Sequence, residues 1–260
     1  YATDNVKVIG LIGERGREVQ EFIEDYLGPE GLSQAVIVVA TGDEPPLMRR
    51  QAAYMTMAIA EFYRDLGQDV LCIMDSVTRF AMAQRELGLA LGEPPTTRGY
   101  PPSVYSELAR LLERAGPGKQ GHGAITAFLS VLVEGDDLQE PICDTVRGIV
   151  DGHIVLKREI ASRGRYPAID VLASISRMMP GCNSEAENNL VMRAKQYLSL
   201  YEDMADMIRL GAYKAGTNQE VDLSIKYYQQ LEEFLSQRPN EHIPMEESYK
   251  LLAKIIEPTA

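Results

Sequence analysis

Glu14, Arg15, Arg17 and Glu18 stand together in the run GLIGERGREV, residues 10–19, where an apolar stretch gives way to charge. A carboxylate fixed at the end of a buried strand can hold a water molecule against a phosphate, and neighbouring arginines can orient the acid. Taken alone, the same run also reads as a solvated strand end whose ion pairs contribute little. A second carboxylate, Asp75, closes the apolar run VLCIMD at 70–75 and is followed by Ser76, Thr78 and Arg79. In nucleotide hydrolases an acid at such a place holds Mg2+, usually through a water, because that ion keeps most of its hydration shell. In other proteins the same residue simply caps the next helix. Arg177, in SISRMMP, offers a planar guanidinium able to pair with two phosphate oxygens and to offset charge that builds in a transition state.

Two further stretches look chemical and are set aside. GPGKQGHG at 116–123 fails the GxxxxGK[ST] spacing, since Gln120 follows Lys119 and Glu113 stands where the earlier glycine is required. It reads as a mobile, Gly-rich surface loop. The acidic residues Glu134, Asp136 and Asp137 follow an apolar run and precede Pro141, which favours a solvated turn over a metal site.

These groups need a scaffold. Apolar runs rich in Val and Ile recur at 6–13, 35–41, 70–75, 125–133 and 148–156 between helical stretches, the pattern of a parallel sheet covered on both faces. Residues 44–66 carry Leu47, Ala52, Met55, Ile59, Phe62 and Leu66 at spacings that suit one buried helical face, and a helix over 17–27 is expected to stop at Gly28-Pro29. After residue 183 no further strand is expected. Ser184 with Glu187 makes a capping box for a helix ending at Gly211, and two more helices are predicted over 218–237 and 245–256. The expected organisation is an α/β core over 1–183 and a small all-helical domain over 184–260.

Bulk properties exclude several classes. With 260 residues there is room for a full core and a second small domain. The three cysteines, Cys72, Cys143 and Cys182, are odd in number and widely spaced, and the three histidines are not at ligand spacing, so disulfides and zinc are not expected. A net charge of −12 argues against nucleic acid as a partner. No run reaches the roughly 20 apolar residues of a membrane span, and no signal peptide is recognisable, so a cytoplasmic location is expected.

Four segments together carry a resemblance: GLIGERGREV, VLCIMDSVTRFA at 70–81, EPPTTRGYPPSVYSELARLLERAG at 93–116 and RYPAIDVLASISRMMP at 165–180. They resemble the catalytic core of the rotary-ATPase-related hexameric ATPases, most closely the flagellar type III protein-export ATPases. The resemblance implies a RecA-like parallel-sheet core followed by a helical C-terminal domain, with ATP and Mg2+ as substrate and cofactor. It also implies roles. Glu14 polarises the attacking water, Glu18 supports the metal shell around Asp75, and Arg15, Arg17 and Arg79 orient these acids, although each arginine also reads as a surface ion pair. Arg177 becomes a finger reaching into a neighbouring subunit's site, and Tyr166 stacks on adenine, a plain core tyrosine being the other reading.

The implied assembly is a homo-hexamer around a central stalk protein, with a peripheral regulator, an export gate and chaperone–substrate complexes as partners, peripherally associated with the inner-membrane export apparatus. An injectisome type III secretion ATPase is the alternative of the same chemistry, and a non-catalytic scaffold subunit the alternative of another class. No P-loop and no N-terminal β-barrel occur in the sequence, so this chain is expected to be the C-terminal portion of a longer ATPase, incomplete at its phosphate grip.

Overall fold

The computed structural model describes residues 6–239 and 241–256. Their chain folds as two units that divide between Val150 and Asp151. The first unit runs β1 (Val6–Ile12), α1 (Gly16–Glu21), α2 (Gly28–Ser33), β2 (Ala35–Ala40), α3 (Pro46–Asp65), β3 (Val70–Asp75), α4 (Val77–Ala90), α5 (Pro102–Leu112), β4 (Gly116–Pro117), β5 (Ala124–Leu129) and α6 (Pro141–Ile149).

Strands β2, β1, β3 and β5 lie side by side in parallel, and the two-residue β4 pairs antiparallel with the start of β5. This is the α/β core expected. Side chains alternate across the sheet, so β1, β2 and β3 each feed two cores. On one face Val8, Ile12, Cys72, Met74 and Ile125 meet α3, α4 and α5 through Ala53, Met57, Phe80, Val104 and Leu108. On the other, Ile9, Leu11, Ile37 and Ile73 meet Val19, Phe22, Ile23 and Leu27. Burial on both faces is why β1 and β3 read as unbroken apolar runs.

Local signals set the helices. Pro46 opens α3, where its missing N–H has no intrahelical partner to lose. The buried residues Ala53, Thr56, Met57 and Ala60 then recur at helical spacing, and Gly67 with a φ of +83° follows the helix end. Helix α3 crosses β1 closely. A Cβ on Gly10 would lie 2.5 Å from the Thr56 hydroxyl oxygen, so the strand carries glycine at the crossing.

Between α3 and α5 sits a charged network that the helical spacing conceals. Glu107 is only 8% exposed; it pairs with Arg50 at 2.9 Å and Arg110 at 2.7 Å and accepts a hydrogen bond from the Tyr54 hydroxyl. Burial and Glu107 together push the Tyr54 phenol up to about 12. Arg114 holds Glu61 through two bonds of 2.8 and 2.6 Å, and its guanidinium lies 5.8 Å from the centre of the Tyr54 ring.

The second unit consists of β6 (Gly152–Leu156), α7 (Arg158–Ser162), β7 (Ile169–Ser176), α8 (Glu185–Arg209), α9 (Gln219–Phe234) and α10 (Met245–Ile256). Its helical core gathers Ala194, Leu198, Tyr227, Leu231, Leu252 and Ile256. The Ser184 hydroxyl accepts from the Glu187 N–H at 3.3 Å while the Glu187 carboxylate accepts from the Ser184 N–H at 2.8 Å, so the capping box is formed as expected. Asn218 caps α9.

Three expectations are corrected. The run at 148–156 does not join the parallel sheet: β6 pairs antiparallel with β7 in a separate two-stranded sheet. Strand β7 was not anticipated, and its Val171 and Leu172 pack against the helical core, which draws both strands into the second unit although composition changes only after 183. The face expected to be buried over 44–66 is largely exposed at Leu47, Met55, Phe62 and Leu66, and α3 buries Ala53, Thr56, Met57 and Ala60 instead. The earlier helix does break at Gly28 as expected, after a π-helical turn at Phe22–Leu27, because Gly28 takes a φ of +63°.

Removing Glu107 would leave Arg50 half-buried beside a Tyr54 hydroxyl without its acceptor. Glu107→Ala is therefore expected to cost ~3 kcal/mol of unfolding free energy in urea denaturation. A loss below ~1 kcal/mol would mean that the helices hold together without this network.

Candidate active site

The carboxyl ends of β1 and β3 lie next to each other, with Leu11 level with Asp75. Ligands of open parallel sheets bind at this edge, where strands end and loops begin. Gly13 turns the chain out of β1 at a φ of +75°, and its N–H donates to the Ala40 carbonyl at 2.6 Å. A Cβ at Gly13 would meet Cβ and Cγ of Arg79 at 2.8 Å, so the absence of a side chain lets the Arg79 stem lie across the turn. Glu14 comes next, its carbonyl held by the Gly42 N–H at 3.0 Å.

Burial pushes the Glu14 carboxyl above its ordinary value; the charges of Asp75 and Glu18 push the same way, and Arg79 opposes them without cancelling them. Oε1 of Glu14 and Nε of Arg79 are both buried with no hydrogen-bond partner among the described residues. Buried polar atoms in folded proteins are rarely left unpaired. An orphaned acceptor and an orphaned donor beside the same turn are groups that a polar ligand could pair.

Asp75 ends β3, and the Ser130 hydroxyl donates to its Oδ1. Ser76 caps α4, its hydroxyl accepting from the Arg79 N–H at 3.3 Å, which fixes where the Arg79 stem begins. Among the described residues no three His, Cys, Asp or Glu side chains converge into a ready-made cation cage. Mg2+ needs none, since one or two carboxylates, waters and substrate phosphates suffice. Asp75, with the half-buried Glu14 beside it, is a donor of that kind.

The other candidates are distributed more widely. Arg15 pairs with Glu18 at 3.2 Å; both are solvent-facing, so the pair contributes little to stability. Arg17 is exposed on the same turn. Tyr166 and Arg177 belong to the second unit. Tyr166 is 60% exposed, and its carbonyl accepts from the Gln237 N–H at 2.8 Å. Arg177 leaves the end of β7, exposed, with its N–H donating to the Asp151 carbonyl at 2.7 Å.

Of the stretches set aside, Gly116–Pro117 forms β4, and Gly118 closes back on Gly123 through a 2.9 Å backbone bond. In the acidic turn, Asp137 pairs with Arg98 at 2.7 Å. Sequence reasoning missed Ser130. Its only signal is a small polar residue interrupting the apolar run ITAFLSVLV.

Residues 1–176 match the family model described as "ATP synthase alpha/beta family, nucleotide-binding domain". The chain belongs to that family. Residues 183–254 match a second model, "T3SS EscN ATPase C-terminal domain". Among curated relatives, the flagellum-specific ATP synthase of Caulobacter vibrioides is 59% identical over 98% of this chain and 59% of its own length. That of Bacillus subtilis is 54% identical over 96% of this chain and 57% of its own. The chain thus spans less than two thirds of the length of the curated relatives it matches.

Among solved structures, the assembled ATPase EscN of the enteropathogenic E. coli type III secretion system superposes with a TM-score of 0.94 at 43% identity, over 98% of this chain and 61% of EscN. EscN in complex with its central stalk EscO gives 0.88 at 42% identity, over 98% of this chain and 60% of that one. The family match accounts for the parallel core, and both solved structures extend the likeness into the helical region.

The raised Glu14 pKa has a consequence for stability. The unfolded chain releases this proton more readily than the native one, so ionised Glu14 detracts from stability above its native pKa and is neutral in effect below the unfolded value. Glu14→Gln is expected to raise the melting temperature near neutral pH, with the gain disappearing by about pH 4. An unchanged or lowered melting temperature at neutral pH would show that Glu14 is not held against its own charge.

Proposed function

We propose that this chain carries the water-activating and cation-holding residues of an ATP-hydrolysing motor that energises export of flagellar proteins. The observation that carries the reading is the pair of carboxylates at adjacent strand ends, one of them with a buried oxygen that no group among the described residues satisfies. In this reading Glu14 takes the proton of the attacking water, a role suited to a carboxylate whose pKa burial raises. Asp75 and Glu18 hold the water shell of Mg2+, and Arg79 holds Glu14 in place. Neutralising the charge of the β- and γ-phosphate oxygens is what a bound Mg2+ would add.

Arg15 orients the acids from the solvent side, Tyr166 presents its exposed ring to adenine, and Arg177 serves a neighbouring subunit's site. One chain bearing both Glu14 and Arg177 suits a homo-hexamer, in which each interface completes one site. We assign the catalytic core to 1–183 and the helical domain to 184–260, the latter facing a central stalk protein and, with a peripheral regulator, the export gate and chaperone–substrate complexes. The absence, among the described residues, of any helix long and apolar enough to cross a membrane is compatible with peripheral attachment of a cytoplasmic motor to the export apparatus.

An injectisome ATPase is the second reading, supported by the EscN-type C-terminal domain. Identities of 59% and 54% to flagellar relatives, against 43% to EscN, favour the flagellar one. A scaffold that has lost catalysis would have no cause to keep an unsatisfied carboxylate at the strand end, where glutamine would serve.

In the full-length protein, Glu14→Gln is expected to lower steady ATP hydrolysis at least about 100-fold while leaving nucleotide affinity within about threefold. Turnover within about tenfold of the unmodified enzyme would remove Glu14 from the reaction. Arg177→Ala should likewise be inactive, and hexamers mixed from the two variants should exceed both parents. Mixed hexamers, verified by mass, that stay at the parental level would show that Arg177 does not act between subunits.

A further inference from the structure

Holding the Asp75 carboxylate in place is a task distinct from holding the metal. The geometry assigns that task to Ser130: we infer that its hydroxyl is a positioning group that fixes the Asp75 carboxylate for cation binding. The inference rests on the reading of Asp75 as the Mg2+ acid.

Several contacts make Ser130 unusually well placed. It directly follows β5, whose Leu129 is level with Met74 of β3, so the next residue on each strand is Ser130 on one side and Asp75 on the other. The Ser130 N–H donates to the Met74 carbonyl at 3.0 Å, and its own carbonyl accepts from the Val77 N–H at 3.0 Å. The backbone of Ser130 is therefore clamped on both sides of Asp75. Two residues on, the Leu132 N–H donates to the Thr78 hydroxyl at 2.8 Å, and that hydroxyl donates back to the Leu132 carbonyl at 3.3 Å. The segment that carries Ser130 is thus tied to the first turn of α4.

A serine hydroxyl has one proton to give. Its two acceptors within reach are Oδ1 of Asp75 and the Met74 carbonyl, the latter at 3.5 Å. The carbonyl is already engaged by the Ser130 N–H, and a bond to a charged carboxylate is the stronger one. The proton therefore goes to Asp75, which engages Oδ1 and leaves Oδ2 for the water ligands of a cation. Glu14 acts on the same carboxylate by charge alone. Without a directional bond, two neighbouring acids would turn away from each other. The Ser130 hydrogen bond supplies that direction, and groups that orient metal ligands in this way typically govern metal affinity by 10–100-fold.

The test is made on the full-length protein with Mn2+ as the probe, its free concentration followed by electron paramagnetic resonance in the presence of saturating ADP. Ser130→Ala is expected to weaken Mn2+ binding about tenfold or more, with metal-free ADP affinity unchanged within about twofold. Ser130→Thr keeps the hydroxyl and should restore Mn2+ affinity to within about threefold of the parent. Ser130→Cys keeps the volume with a weak donor and should follow alanine, which preserves the test should the smaller side chain disturb folding.

Asp75→Asn in the same assay separates the two layers of argument. A large loss of Mn2+ affinity in Asp75→Asn without any in Ser130→Ala or Ser130→Cys would overturn the role of Ser130 and leave the reading of Asp75 standing. No loss in Asp75→Asn would overturn both. Equal weakening in the alanine and threonine variants would show that Ser130 acts through packing and would also reject the proposal.

Discussion

Two carboxylates at the carboxyl ends of neighbouring buried strands repel each other, and the first unit is built so that they remain there. Parallel pairing in register puts the end of β1 beside the end of β3, so the repulsion between Glu14 and Asp75 follows from the sheet itself. Sliding one strand past the other would relieve it but would turn every buried side chain of that strand to the wrong face. The register is held instead by burial of Val8, Ile12, Cys72 and Met74 on one side and Ile9, Leu11 and Ile73 on the other. Hydrophobic burial spread over two cores thus offsets a local electrostatic cost at the strand ends.

The compensating charges arrive by backbone geometry. Arg79 lies across Gly13 because that residue has no side chain, and its starting point is fixed by the Ser76 cap of α4. Its charge draws the Glu14 pKa down, but burial and the neighbouring acids prevail. The contrast with Glu107 is instructive. That carboxylate is more deeply buried, yet two arginines and the Tyr54 hydroxyl satisfy it, and its pKa is lowered despite the opposing effect of burial. The chain therefore satisfies a buried acid where the task is structural and leaves one partly unsatisfied where a ligand can complete it.

How much of this could be read from the sequence depended on whether the signal was local. Strands β1, β2 and β3 were legible because burial on both faces makes their sequences continuously apolar, and α8 was legible because a capping box is a four-residue pattern. Glu14 and Asp75 stood out because charge at the end of such a run is conspicuous. Strand β7 carries no such run: its second residue, Asp170, is charged and is tied to Lys157 at 2.5 Å and to two N–H groups of its own strand, so the acid is satisfied by a partner that the strand's sequence does not show. The pairing of β6 with β7 rather than with β5 is likewise a matter of which surfaces bury each other. Ser130 was hidden for the opposite reason, since a lone serine interrupting an apolar run makes no pattern until its neighbour across the sheet is known.

A strand end is thus a better place for reactive carboxylates than a free loop. The ladder hydrogen bonds fix the backbone up to Ile12, Asp75 and Leu129, and the next one or two residues inherit that rigidity while their side chains leave the sheet. Glu14, Ser76 and Ser130 all occupy such inherited positions. Ordering them costs little further conformational entropy, because the strands that carry them are already fixed by the cores. The same argument applies to Arg177, which leaves β7 with its N–H bonded to Asp151 in a sheet of only two strands. Its backbone is set by antiparallel pairing, independently of the parallel sheet that sets Glu14. Two separate sheets thus fix the backbones at Glu14 and at Arg177 independently of each other.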